Sequence, residues 1–224
     1  PKSDYQKEIE LAIKKTKLKL KDKFFYDMDP TLLTSQIEKV TRYPERKQNL
    51  LNEIERVESL SLINKEKKLE ELNKKDTLGG INFDSVIIAD FGESLKSVAK
   101  SLLYTDVSSK RISYITLNQW FDNSLLKENS LQPIYFPSIN KENFELFKVE
   151  YNNAYKKKAN QLSFLSYDLV GLLSSLNLNE TGFNNTILDK NSGFIGINGW
   201  FKFTKSGKVI RDPKIFQIRN QKFI

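Results

Sequence analysis

The stretch FDSVIIADFGESLKSVAKSLLYTDVSSKRISYITLNQW, residues 83–120, decides how the rest of the chain is read. Val86-Ile87-Ile88-Ala89 is an apolar run too short for a buried helix and follows Gly79-Gly80, so it reads as a strand covered on both faces. Asp90-Phe91-Gly92-Glu93 breaks the run. Leu95, Val98, Ala99, Leu102 and Leu103 then recur at helical spacing, and Ile112, Tyr114, Ile115 and Leu117 supply a second strand before Asn118-Gln119-Trp120. This strand, loop, helix, strand order predicts an α/β fold with a parallel sheet flanked by helices. Ligands of open parallel sheets bind beyond the carboxyl ends of the strands, which marks Asp90–Glu93 and Asn118–Trp120 as the candidate rim segments.

Upstream, Ser3 with Gln6 makes a capping-box pattern, and Ile9, Ala12 and Ile13 give the first helix an apolar face. Phe24-Phe25-Tyr26 reads as another strand of the same parallel sheet. Asp29-Pro30 opens a second helix, with Leu33, Ile37 and Val40 on one side, and Pro44 interrupts it. Leu50, Ile54 and Val57, then Leu69 and Leu72, mark a charged helical hairpin between Pro44 and Thr77. That span is long for a connection between strands, and a projecting hairpin is a candidate docking surface for a partner.

Downstream, Pro133-Ile134-Tyr135-Phe136-Pro137 is an extended segment bracketed by prolines, suited to a crossing between lobes. Phe144, Phe147, Val149, Tyr151 and Tyr155 belong to an aromatic-rich helix, and Leu165, Leu169, Leu172, Leu173 and Leu176 to another. The end changes character. Gly193 to Phe203 reads as a hairpin that runs into a turn at Lys205-Ser206-Gly207-Lys208. Val209-Ile210 and Ile215-Phe216-Gln217-Ile218 are further strand material before the polar turn Asn220-Gln221.

Composition narrows the chemistry. With 39 % of its 224 residues hydrophobic, the chain can build a sizeable core. It contains neither cysteine nor histidine, which removes disulfides, thiolate nucleophiles, Ser-His-Asp sites and the usual zinc motifs. No P-loop or GxGxxG pattern is present, so the expectation is a protein that is not an enzyme and carries no cofactor or metal. The net charge of +8 raises the question of nucleic acid. However, Lys65 to Lys75 is interleaved with Glu66, Glu70 and Glu71, as on a solvated helix face, and no nucleic-acid motif accompanies the basic stretches Lys14–Lys23 and Lys156–Lys158. Solvated surface is the first reading of these lysines, and an anionic membrane surface or polymer the second. No apolar run approaches the length of a bilayer-spanning helix. Pro1 is not an initiator methionine, which leads us to expect residues upstream of it.

The order of these elements resembles the later part of the type I periplasmic-binding-protein family, the branched-chain amino-acid receptor-like group. The landmarks are Pro1-Lys2-Ser3-Asp4-Tyr5, the Phe83–Ile88 strand with Gly92 after it, the strand ending at Trp120, Ser166-Tyr167-Asp168, and the glycine pattern from Gly193 to Gly207. Within the group, Gln36-Ile37-Glu38-Lys39-Val40-Thr41-Arg42-Tyr43, the charged insertion, and Asp76-Thr77-Leu78-Gly79 look most like the penicillin-binding-protein activator lipoproteins of Gram-negative bacteria. The resemblance implies two α/β lobes with a ligand cleft between them. Residues 1–137 would form the second lobe, with 44–77 inserted; 138–204 would return to the first lobe, and 205–224 would bring the last strands back. The opening half of the first lobe would lie outside this sequence.

What the resemblance implies about function is a non-catalytic cell-envelope protein. Its first form is a regulator of a peptidoglycan synthase, periplasmic and anchored to the membrane only through a lipid upstream of this chain. Its alternative is a solute receptor of an ABC transporter for an amino acid or similar small molecule. Gln6 stands where solute-binding relatives carry glycine after the tyrosine, which favours the regulator, and nucleic acid is not an expected partner. The cleft residues implied are Tyr5, Asp90, Phe91, Gly92, Glu93, Asn118, Gln119 and Trp120, with Asp90 and Glu93 as acceptors for an ammonium group.

Overall fold

A computed structural model describes residues 6–26, 29–61, 63–176, 188 and 192–224. The chain divides into two compact units. The first comprises residues 1–117, 122–135 and 217–224, and the second 118–121 and 136–216.

The first unit contains the helices α1 (Gln6–Lys14), α2 (Pro30–Val40), α3 (Tyr43–Ser59), α4 (Lys65–Asn73) and α5 (Gly92–Tyr104). A five-stranded sheet runs β1 (Ser85–Ile88), β2 (Ser113–Thr116), β3 (Ile134–Ser138), β7 (Lys214–Arg219), β8 (Lys222–Phe223) in spatial order. Strand β1 pairs parallel with β2 in the register Ile87 to Ile115, and β2 parallel with β3. Strands β7 and β8 form an antiparallel hairpin whose turn residues, Asn220 and Gln221, both take positive φ. The expected parallel α/β sheet is therefore present. Its core follows the predicted stripes: Leu95, Ala99 and Leu102 of α5, Leu33 and Ile37 of α2, Ile88, Tyr114 and Ile134 are all buried.

Two expectations need correction. Phe24–Tyr26 is not a strand; the lysine-rich stretch leading to it is solvated, and the Tyr26 hydroxyl anchors its end by donating to Asp90 Oδ2. Strand β1 is also not covered on both faces. It lies at the end of the sheet order, and Ile87 stays 41 % exposed while Ile88 is buried.

The charged insertion is a helical hairpin with a small core of its own, where Leu50, Val57 and Leu72 pack with Ile54, Leu69 and Leu78. Pro44 sits in the first turn of α3 rather than inside a helix, where its missing N–H costs nothing. One turn later Arg46, only 5 % exposed, ties the hairpin to the body of the unit. Its guanidinium donates to the Thr105 carbonyl at 3.0 Å and to Thr77 Oγ1 at 2.7 Å, and it pairs with Asp106 at 3.4 Å.

The second unit contains α6 (Lys141–Tyr155), α7 (Gln161–Ser175) and an antiparallel sheet of β4 (Phe194–Gly196), β5 (Gly199–Phe203) and β6 (Val209–Arg211). The predicted hairpin is the β4–β5 pair, with Gly196 opposite Gly199. Its core is aromatic: Phe121 meets Phe136, Phe144 and Phe216 at 5.8, 5.4 and 4.9 Å between ring centroids. Buried Asp168 of α7 fastens the β4–β5 turn, accepting from Ile197 N at 2.7 Å and from Asn198 Nδ2 at 2.7 Å. A Cβ on Gly196 would lie 2.4 Å from that carboxylate, which is why glycine stands there.

Candidate functional site

The rim residues fall in different units, and each group is described within its own. In the first, the chain leaves β1 at Ile88 and turns through Asp90, Phe91 and Gly92 into α5, as a strand-to-helix connection of a parallel sheet must. Gly92 takes φ +53°, a conformation that costs a side-chain-bearing residue energy. Asp90 is buried at 9 % exposure. Its Oδ2 accepts from the Tyr26 hydroxyl and its Oδ1 from the Phe91 N–H at 2.8 Å. Burial, reinforced by the bond to Asp90, pushes the Tyr26 hydroxyl well above its ordinary pKa. The Thr116 hydroxyl donates to the Ile88 carbonyl at 2.7 Å and fixes the ends of β1 and β2 against each other.

Glu93 differs from Asp90. Its side chain is 84 % exposed and pairs with Lys96 at 2.7 Å in the first turn of α5, where a negative charge also suits the helix dipole. Glu93, Lys96 and Lys100 face Asn123, Ser124, Lys127 and Glu128 across a depression of about 560 Å³. Lys100 and Glu128 pair there at 3.0 Å. Of the two loop acids, Glu93 is the one presented to solvent.

In the second unit, Asn118, Gln119 and Trp120 form one sharp turn. Asn118 Oδ1 accepts from the Trp120 N–H at 2.9 Å and from the Ser138 hydroxyl at 2.9 Å, while Gln119 is buried. Trp120 and Phe121 both take positive φ, at 50° and 52°, a strained pair held by the aromatic packing around Phe121. The turn places the Trp120 ring against Phe164, 6.0 Å between centroids, and Phe164 stacks on Phe144 at 4.8 Å. Trp120, Phe144, Leu162 and Phe164, with Ala159, Asn160 and Gln161, line a pocket of about 450 Å³. Asn160 caps α7 by accepting from Ser163 N at 2.9 Å, which fixes the edge of this pocket where the helix starts.

In the sequence Phe144 reads only as a helix-packing position, and Leu162 and Phe164 are not among the positions picked out by helical spacing; the fold brings all three to the pocket with Trp120. The asparagine ahead of an apolar helix start at residues 160–164 was the available signal. Tyr5 lies outside the described residues. Among the described residues no group of histidine, cysteine, aspartate and glutamate side chains could hold a metal ion, and no helix is long and apolar enough to cross a membrane.

No protein-family model and no curated protein matches the chain. Solved structures do. A Rhodospirillum rubrum protein described as a branched-chain amino acid ABC transporter is 11 % identical, with a TM-score of 0.52 over 70 % of this chain and 46 % of that one. The substrate-binding protein LivJ of Streptococcus pneumoniae, solved with isoleucine, is 14 % identical with a TM-score of 0.43 over 70 % of this chain and 46 % of its own. The leucine-binding protein LivK of Thermotoga maritima is 15 % identical with a TM-score of 0.45 over 64 % and 43 %. At such identities the likeness speaks to fold alone, which is α/β and type I periplasmic-binding-protein-like. The chain spans less than half the length of each of these three structures.

Proposed function

We propose that this chain is part of a non-catalytic solute-binding protein of the cell envelope, and that its ligand is a small molecule with an apolar side chain, such as an amino acid. The observation that carries the reading is the aromatic pocket at Trp120. Small-molecule sites are concave, mostly apolar and equipped with a few placed polar groups. Three rings, a leucine and two carboxamide side chains fit that description. The strained turn at Trp120–Phe121 adds support, because backbone strain of this kind gathers at binding sites. The likeness in fold to the Rhodospirillum rubrum protein agrees with this class of function.

A second reading is a regulator of a peptidoglycan synthase, akin to the lipid-anchored penicillin-binding-protein activators. The helical hairpin α3–α4 favours it, being locked to its unit by Arg46 and charged over its surface. Rigid, polar elements suit a protein partner. We rank this reading second because the Trp120 pocket is a recess of a size and lining that suit a small molecule.

A thermal-melt panel of free amino acids separates the two. Ligand at a hundredfold excess over its Kd stabilises a native state by about 2.7 kcal/mol. For a chain of this size that corresponds to a rise in Tm of roughly 5–11 °C. Apolar amino acids are expected to produce it, and Trp120→Ala to abolish it with the fold retained. An absence of any shift, together with weaker capture of a peptidoglycan synthase after removal of residues 44–77, would reverse the ranking.

A further inference from the structure

Helix α1 contains no buried residue, and the chain from Thr16 to Tyr26 that follows it joins no sheet. Between Lys7 and Lys23 it carries seven lysines, at 7, 14, 15, 17, 19, 21 and 23, against three acids, at 8, 10 and 22. One of those acids is spent internally, since Glu10 pairs with Lys23 at 2.8 Å and folds the segment back on the helix. Lysine and leucine alternate from Lys17 to Lys21, and the apolar side chains are not put away. Leu11 is 50 %, Leu18 62 % and Leu20 51 % exposed.

Exposed leucines interleaved with lysines suit a surface that offers apolar depth and negative charge together. A lysine-rich surface alone would suit any polyanion, but a soluble polymer offers nothing to Leu11, Leu18 and Leu20. A bilayer with anionic headgroups offers both halves of the match. Leucines enter the boundary between headgroups and acyl chains, and lysine stems lie along it with their ammonium groups at the phosphates. We propose that residues 6–23 are a docking surface for an anionic phospholipid bilayer. The surface lies away from the Trp120 pocket in sequence and belongs to the other unit, so this proposal stands independently of the ligand reading.

Co-sedimentation of the unmodified chain with vesicles tests it. Three probes are compared: equal parts of phosphatidylglycerol and phosphatidylcholine, phosphatidylcholine alone, and soluble polyphosphate as a competitor. The expected result is partition onto the anionic vesicles only, weakening as salt is raised. Replacing Lys17, Lys19 and Lys21 together by glutamine should lower that partition on the order of 100-fold, at about fivefold per lysine. Leu18→Ser with Leu20→Ser should lower it on the order of tenfold, with circular dichroism unchanged because both side chains are exposed. Equal partition onto both vesicles, no partition onto the anionic ones, or loss to polyphosphate with no effect of the leucine changes would each overturn the proposal. The comparison of vesicles and salt needs no variant, so a misfolded mutant does not spoil it.

Discussion

Replacing Arg46 by methionine tests the account of how the charged hairpin is held. The Arg46 side chain is 6 % exposed and carries bonds to the Thr105 carbonyl at 3.0 Å and Thr77 Oγ1 at 2.7 Å, besides the 3.4 Å pair with Asp106. Methionine fills much of the volume but leaves the Thr105 carbonyl without this donor. Breaking a buried ion pair from one side costs about 3–5 kcal/mol. Asp106 keeps the Thr77 hydroxyl at 2.6 Å and Arg111 at 3.2 Å, so its charge is not stranded. The lower end applies, about 3 kcal/mol, or a fall in Tm of roughly 6–12 °C for a chain of this length. Urea unfolding at neutral pH measures it, with Arg46→Lys expected between the two because it keeps the charge and loses the fork. A loss under about 1 kcal/mol for the methionine variant would mean that Arg46 acts as an ordinary surface charge, since a surface pair costs no more than that.

Other outcomes follow from single contacts. Gly196→Ala drives a methyl group to 2.4 Å from the Asp168 carboxylate and should cost about 1–3 kcal/mol by equilibrium unfolding. Tyr26 holds its proton more tightly when folded than its ordinary value of 10.0 allows. Its contribution is complete below that pH and declines as pH rises beyond it, so Tyr26→Phe should flatten the alkaline fall in stability. Tyr114, also raised by burial, keeps part of that fall in place. Glu53 is held down at about 2, first by its hydrogen bond to Arg56. Its contribution is present above the ordinary 4.5 and is lost as pH falls toward 2, so Glu53→Gln should flatten the acid limb of the same curve.

The α/β unit around residues 83–120 was legible because its apolar positions switch from strand to helix spacing within one short stretch, and such periodicity survives without tertiary knowledge. Phe24–Tyr26 was misread for a related reason. Three consecutive aromatic residues look like a strand, but a strand also needs a neighbour, and the sequence cannot say whether one is there. Arg46 was invisible because a lone arginine amid Glu45, Lys47 and Glu53 reads as one more surface charge. Only the fold brings Thr77, Thr105 and Asp106 to it. At the candidate site, the rule for parallel sheets marks both rim segments as candidates, and the side-chain geometry separates their members. Asp90 binds its own unit, Glu93 faces solvent, and Trp120 walls a pocket.

The most direct test of the proposed function uses Trp120 as its own reporter. The chain has two tryptophans, so Trp200→Phe leaves Trp120 as the only indole. Titrating that variant with apolar amino acids, and following the same mixtures by calorimetry, reads site and affinity together. A saturable change in Trp120 fluorescence is expected at the ligand concentration where heat is released. Heat released with no change at Trp120, or no binding of any apolar amino acid, would contradict the proposed function.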